Sequence, residues 1–197
     1  MTSKPHLYYM QKLESQRVTE QLENHIDAQV PKLFAMNNKS AKWQIEMSDG
    51  TVRFMSNQFT AVDDEFYLVH VDALRFYQYW LNSSIAHVDK HRSINCLVKK
   101  LMHTDYKYHR AVIGFSKGSS NPVPVAQVSA ENKNGTPYLG FVNGVTRSFW
   151  LLANEAKSFP VEVHYERSAK ELFNAAGVGE SYIRYDKLKA LQHTLNL

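Results

Sequence analysis

Apolar side chains recur along the chain with two different periods, and the switches between them mark out the elements. Between residues 10 and 30 they fall at Met10, Leu13, Val18, Leu22, Ile26 and Val30. The four-residue steps from Val18 onward predict one face of an amphipathic helix that closes before Pro31. The segment WQIEMSDGTVRFM changes to a period of two. Trp43, Ile45 and Met47 alternate with polar residues, Asp49-Gly50 supplies a turn, and Val52 and Phe54 alternate on the return strand. In FYLVHVDALRFYQYWL the first half has the β-branched and aromatic content of a strand. Leu74, Tyr77 and Leu81 suit a helix that follows it.

Further on, Ile94, Leu97, Val98 and Leu101 predict a short helix over residues 94–103, and AVIGF reads as a short buried strand. SKGSSNP interrupts regular structure. PVPVAQV is then a strand whose prolines place it at an edge or a strand start. ENKNGTP is a turn and PYLGFV another strand, ended by Asn143-Gly144. Thr146 is positioned to cap a helix over SFWLLANEA, and FPVEVHY returns to a strand. SAKELFNAAG is helical with Gly177 as its C-cap, and Leu188, Leu191 and Leu195 mark a last amphipathic segment. The order of elements is α+β, a small mixed β-sheet with flanking helices rather than a regular βαβ alternation. One division is expected near residue 60. It separates an N-terminal helix and β-hairpin extension (1–60) from the remainder (61–197).

Composition narrows the class. With 197 residues, 44% apolar and 21% charged, the chain can bury a core and is not a disordered polymer. The first residues, MTSKPHLYYMQKLE, hold no apolar run of the signal-peptide kind, and no stretch approaches the roughly 20 apolar residues that span a bilayer. Cys96 is the single cysteine, which excludes an internal disulfide or a cysteine-rich zinc site and suits a reducing cytoplasm. Its place among apolar positions marks it as a core thiol rather than a nucleophile. The net charge of +4 is mild, but its distribution is not. From His87 to Arg110 there are six Lys or Arg against two Asp, with four histidines, a zone suited to phosphates.

The chemistry converges on the turn Gly144-Val145-Thr146-Arg147. The first N–H groups of a helix lack internal partners and carry partial positive charge, so a strand that turns tightly into a helix makes an anion site. Gly144 permits close approach of a phosphate, Thr146 offers a hydroxyl, and Arg147 offers a planar fork for two oxygens. By spacing alone the same residues also describe a capped helix whose arginine pairs with Glu155 or Glu162.

The run NPVPVAQVSAENKNGTPYLGFVNGVTRSFWLLANEAKSFPVEV resembles the core of the sulfiredoxin and ParB N-terminal domain superfamily. There a Pro-containing strand and a turn precede a strand ending in Gly-x-x-Arg. An aromatic and Ala/Leu-rich helix follows, then a strand opening on a Pro-Val pair. LVHVDAL resembles an earlier strand and helix start of the same superfamily. The resemblance implies that Gly144, Thr146 and Arg147 hold the phosphates of ATP or another nucleoside triphosphate, with Mg²⁺ bridging them. Val145 stands where sulfiredoxins carry their catalytic Cys, so sulfinic-acid reduction by that route is excluded. ParB proteins carry Glu-Arg-Arg after the Gly, and this chain has Val145-Thr146-Arg147. Within the superfamily, GFSKGSSNPVPVAQV, FVNGVTR, SFWLLAN and FPVEV together resemble the plasmid fertility-inhibition factors, cytoplasmic bacterial proteins that block conjugative transfer of DNA. That resemblance implies nucleotide binding, ATPase and DNase activity, or a non-catalytic protein that docks on the transfer machinery.

Other features of the chain have plainer readings beside the functional ones. GFSKGSSN lacks the spacing of a P-loop, yet Lys117 and Ser119 sit where they can reach a phosphate held by Arg147, unless the segment is a solvated linker. VKKLMHTDYKYHR interleaves Lys99, Lys100, Lys107 and Arg110 with Tyr106 and Tyr108, the mixture that single-stranded DNA binding requires; an ordinary solvated helix end has the same look. For hydrolysis, Arg147 would stabilise charge and Glu162 would orient the attacking water. The histidines at 87, 91, 103 and 109 with Asp89 and Asp105 do not form a metal-binding pattern, and no metal site is expected.

Overall fold

The computed structural model describes residues 4–60, 65–87 and 94–192. Helix α1 (Lys4–Leu22) leads into strands β1 (Lys32–Met36), β2 (Ser40–Glu46) and β3 (Val52–Gln58), then β4 (Phe66–Asp72) and α2 (Ala73–Ala86). A 3₁₀ turn (Lys99–Thr104) precedes α3 (Tyr108–Ser116), and β5 (Val123–Pro124), β6 (Ala126–Lys133) and β7 (Thr136–Asn143) follow. The chain ends with α4 (Val145–Ala153), β8 (Ser158–His164), α5 (Glu166–Ala176), β9 (Ile183–Arg184) and α6 (Tyr185–Ala190). The α+β class, with mixed sheets and flanking helices, is as expected.

Two sheets form. One has the order β1-β2-β3-β5 and the other β7-β6-β8-β4-β9. The predicted hairpin is β2–β3, closed by Gly50 at φ 79°, and it is held in the same sheet as β5 by a parallel pairing of β3 with Val123 and Pro124. The proline-bearing strand is therefore an edge, as its missing N–H requires. At Val125 the chain leaves the first sheet and at Ala126 it enters the second, where β6 runs parallel to β8. Val125 N donates to Ser56 O at 2.8 Å across this corner.

Strand alternation sets the layers. On β4 and β8, Val69, Val71, Phe159, Val161 and Val163 are fully buried on the face that meets α2 and α5. The opposite face carries His70, whose ring meets Trp43 of the first sheet edge-on at 6.3 Å. The N-terminal strands and the later ones thus share a core containing Trp43, Ile45, Met55, Phe76, Trp80 and Phe159. Trp80 stacks on Phe149 at 4.8 Å and tilts against Phe141 at 4.4 Å, tying α2 to α4 and β7. Cys96 is fully buried, and burial pushes its thiol well up, so it is the inert core thiol expected.

Several expectations need correction. The first helix stops at Leu22, and Ile26 is 88% exposed. Asp72 explains the stop: its Oδ2 accepts from Ala28 N and pairs with His25 Nε2 at 2.7 Å, which draws residues 25–28 out of the helical path. The other oxygen, Oδ1, caps α2 through Leu74 N and Arg75 N. On β3 the buried residues are Met55 and Asn57, because Met55 lies opposite Trp43; Phe54 instead meets Phe34 on the outer face at 5.1 Å. Residues 94–98 are not helical. Ile94, Cys96 and Val98 alternate into the core, and only the 3₁₀ turn follows. AVIGF is not a strand but part of α3, whose buried residues are Ala111 and Phe115, one helical turn apart. The α4 helix ends at Ala153, three residues before the Ala156 that closes SFWLLANEA, and Thr146 lies in its first turn with Gly144 as the N-cap. Gly177 does cap α5, but in extended geometry. A Cβ there would lie 2.3 Å from the Phe173 ring, so closeness and not a left-handed turn selects glycine. Leu195 lies outside the described residues.

His70 gives this core a pH dependence. Burial lowers its imidazole from 6.5 to about 4, and its Nε2 has no partner. The unfolded chain takes up the proton first, so stability is complete above pH 6.5 and falls as pH drops toward 4, by about 3 kcal/mol in all. Urea unfolding at pH 7.5 and pH 4.5 should show this loss in the parent and a smaller one in His70→Leu.

Candidate functional site

A groove of about 730 Å³ opens where α3, β5 and the β7–α4 turn meet. One wall is a single face of α3. Lys107, Arg110, Ala111, Gly114 and Lys117 recur at helical spacing along it. Lys107 is the N-cap and Lys117 the C-cap of that helix, so the cations occupy both ends and the middle. Phe115 anchors the helix by stacking on Trp150 of α4 at 4.2 Å, and Gly114 approaches Val123 closely enough that a Cβ would lie 3.2 Å from its Cγ2. The second wall runs from Phe141 to Arg147, and the floor is Asn121 to Pro124.

The turn into α4 requires its glycine twice over. Gly144 has φ 94°, and a Cβ would lie 2.5 Å from Ala126 Cβ. Strand β7 thereby turns directly into α4 beside the start of β6. Arg147 follows one helical step later. Its Nη1 donates to Pro124 O at 2.7 Å and Val125 O at 2.8 Å, and burial lowers the guanidinium pKa. Neither Glu155 nor Glu162 takes this arginine. Glu155 accepts from Ser48 Oγ, and Glu162 accepts from Tyr185 Oη at 2.8 Å.

Thr146 Oγ1 donates to Asp105 Oδ1 at 2.8 Å, and the same oxygen accepts from Lys107 N at 3.0 Å. Asp105 therefore ties the α3 wall to the first turn of α4. In the sequence Asp105 stands only among the scattered His and Asp residues of 87–109, and nothing in spacing alone links it to Thr146, 41 residues away.

The groove brings together Gly144, Thr146, Arg147, Lys117, Tyr106, Lys107 and Arg110. Others lie elsewhere. Ser119 does not line it; its carbonyl accepts from Lys42 Nζ. Tyr108 accepts from Asn154 Nδ2, Lys100 lies beside Arg17 in a separate depression, and Lys99 is partly buried against Tyr77, with burial lowering its pKa. Glu162, on β8, is not a lining residue. Among the candidate histidines, His91 falls outside the described residues, with Asp89, Lys90 and Arg92. The one metal-like cluster among the described residues, His25, Asp27 and Asp72, is already satisfied internally: Asp27 pairs with Arg75 at 2.6 Å, and both Asp72 oxygens are bonded as described above.

Four cationic side chains therefore meet the start of a helix in a groove whose lining, among the described residues, contains no carboxylate. Such a lining is chemically suited to an anion. Comparison with known families agrees with the resemblance noted in the sequence: residues 68–177, more than half of the chain, match the family described as plasmid fertility inhibition factor. The chain belongs to that family. It is 31% identical to Protein osa of Shigella flexneri over 179 residues, covering 90% of each chain. It is also similar, with a TM-score of 0.83 and 29% identity, to the crystal structure of an oncogenic suppression activity protein, a plasmid fertility inhibition factor, in its gold(I) cyanide derivative. That similarity covers 96% of this chain and 97% of the other.

Gly144→Ala should cost on the order of 3 kcal/mol in urea unfolding, since it adds both a strained φ and a collision with Ala126. Gly118→Ala is the control: its φ is 65° but nothing lies within 4 Å, so a loss of about 1 kcal/mol is expected.

Proposed function

We propose that this protein blocks conjugative transfer of DNA while holding ATP or another nucleoside triphosphate in the α3–α4 groove. The observation that supports the reading is the convergence of Lys107, Arg110 and Lys117 with the first turn of α4 in one groove. A volume of about 730 Å³ suits a nucleotide. Phosphates would lie toward the cations, and the base toward Tyr106, Phe141 and Val142, whose apolar surface lines the other part. Tyr106 is 60% exposed with Lys107 Nζ 5.0 Å from its ring centre. The same pair with Arg110 offers a base-stacking and phosphate-binding rim to single-stranded DNA, while Lys99, Lys100 and Tyr108 lie outside the groove.

Mg²⁺ does not fit the lining. No carboxylate lines the groove among the described residues, and the neutral oxygens of Asn121, Asn143 and Thr146 stand beside ammonium and guanidinium groups that repel a dication. No step is therefore routed through a metal held by these residues.

An ATPase and DNase reading is favoured by one pair, Asp105 and Thr146. Asp105 is the carboxylate bonded to a groove residue, and a carboxylate there can orient or deprotonate an attacking water. Glu162, bonded to Tyr185, is not placed for that role. The alternative, favoured by the carboxylate-free lining, is a protein that binds nucleotide and docks on the transfer machinery without turnover.

Purified protein should bind ATP in calorimetry and suppress plasmid transfer in a mating assay; an absence of ATP binding would sink the nucleotide reading. ATP hydrolysis and single-stranded DNA cleavage are measured on the same material and on Asp105→Asn. Turnover that falls at least tenfold in Asp105→Asn supports the enzyme, and binding without turnover supports the docking protein.

A further inference from the structure

Resting on the nucleotide reading, we infer that Arg147 is a latch on the crossing between the two sheets and that Lys107, Arg110 and Lys117 grip the phosphates. Two sets of observations carry this. Arg147 commits one nitrogen of its guanidinium to the backbone. Its Nη1 bonds both carbonyls of the Pro124–Val125 corner, at 2.7 and 2.8 Å. Pro124 is the last residue of β5 in the first sheet, and Ala126 opens β6 in the second. Pro124 and Val125 supply the carbonyls of that passage, and the guanidinium holds both at once. The guanidinium is partly buried at this corner, and burial lowers its pKa.

The second set lies on the opposite wall. Lys107, Arg110 and Lys117 are all exposed and all line the groove. None of them makes an ion pair among the described residues, whereas Arg17, Arg75, Lys133, Lys157 and Arg184 do. The Lys107 ammonium lies over the Tyr106 ring, and no carboxylate among the described residues neutralises any of the three. Their spacing of three and seven residues puts them on one face of α3, from which their long side chains can reach into the groove. Lys107 and Arg110 also sit on the wall that Asp105 fixes to Thr146, so that wall keeps a constant distance from the start of α4.

The division of labour has a signature that loss of folding alone does not produce. Removing a cation that touches phosphates flattens the rise in affinity from AMP to ADP to ATP. Loosening a corner shifts all three nucleotides together. Kd values for AMP, ADP and ATP, with thermal unfolding of each protein, are measured for the parent, Arg110→Gln, Lys117→Gln, Arg147→Gln and Arg147→Lys. Arg110→Gln and Lys117→Gln should each weaken ATP on the order of tenfold more than AMP, with Tm unchanged. Arg147→Gln should lower Tm and leave the ratio of ATP to AMP affinity within twofold of the parent, and Arg147→Lys should recover part of the Tm. The inference is overturned by a flattened ladder and unchanged Tm in Arg147→Gln, or by parent-like ladders in both α3 variants. A parent that binds none of the three nucleotides removes the nucleotide reading and the grip with it. The latch is then decided by the Tm of Arg147→Gln alone.

Discussion

The chain crosses from one sheet to the other at a point where three backbones meet. Strand β6 begins at Ala126, strand β7 ends beside it, and α4 starts from the same place. That approach is possible only because Gly144 has no side chain and tolerates φ 94°. Without it β7 could not turn into a helix beside β6. The first turn of α4 would then point away from the floor made by Asn121 to Pro124, and there would be no groove. The two sheets depend on the same spot, since β5 pairs with β3 on one side and its continuation pairs with β8 on the other.

Around this junction the aromatic residues act as braces. Trp80 joins α2 to Phe141 and Phe149, and Phe115 joins α3 to Trp150. Offset and stacked ring pairs add modest energy beyond their burial but fix relative positions, which matters more here. The wall bearing the cations is held against α4 by one such stack and by the Asp105 bridge. A cationic wall with this much support stays in place without a ligand, and like charges so close together favour an anion between them.

Local signals in the sequence read out well where the structure answers to local forces. The Asp49-Gly50 turn, the switch at Asp72 from strand to helix, and the Gly144 turn all follow from short-range geometry. Reading failed where distant partners decide. Val112 and Ile113 have strand propensity, yet they lie exposed on α3 because Ala111 and Phe115 are the residues the core accepts. Ile26 and Val30 continue a helical period, but Asp72, more than 40 residues away, captures that segment. The misread α3 hid the most useful feature of the site. Read as a strand, AVIGF separates Lys107 and Arg110 from Lys117, whereas a helix aligns all three on one wall. Conversely, the Gly-x-x-Arg turn was legible, but the destination of its arginine was not, since backbone carbonyls leave no trace in side-chain spacing.

The sealed thiol at Cys96 makes the molecule a blank for chemical labelling. With its sulfur fully buried and its acidity suppressed, a maleimide or a nitroxide reagent meets no native competitor on the described surface. A cysteine introduced at Asn121 on the groove floor, or at Ser116 on the outer side of α3, would carry the only reactive sulfur in the native fold. Pairs of such probes turn the width of the groove into a distance that spectroscopy can follow while the protein meets its partners.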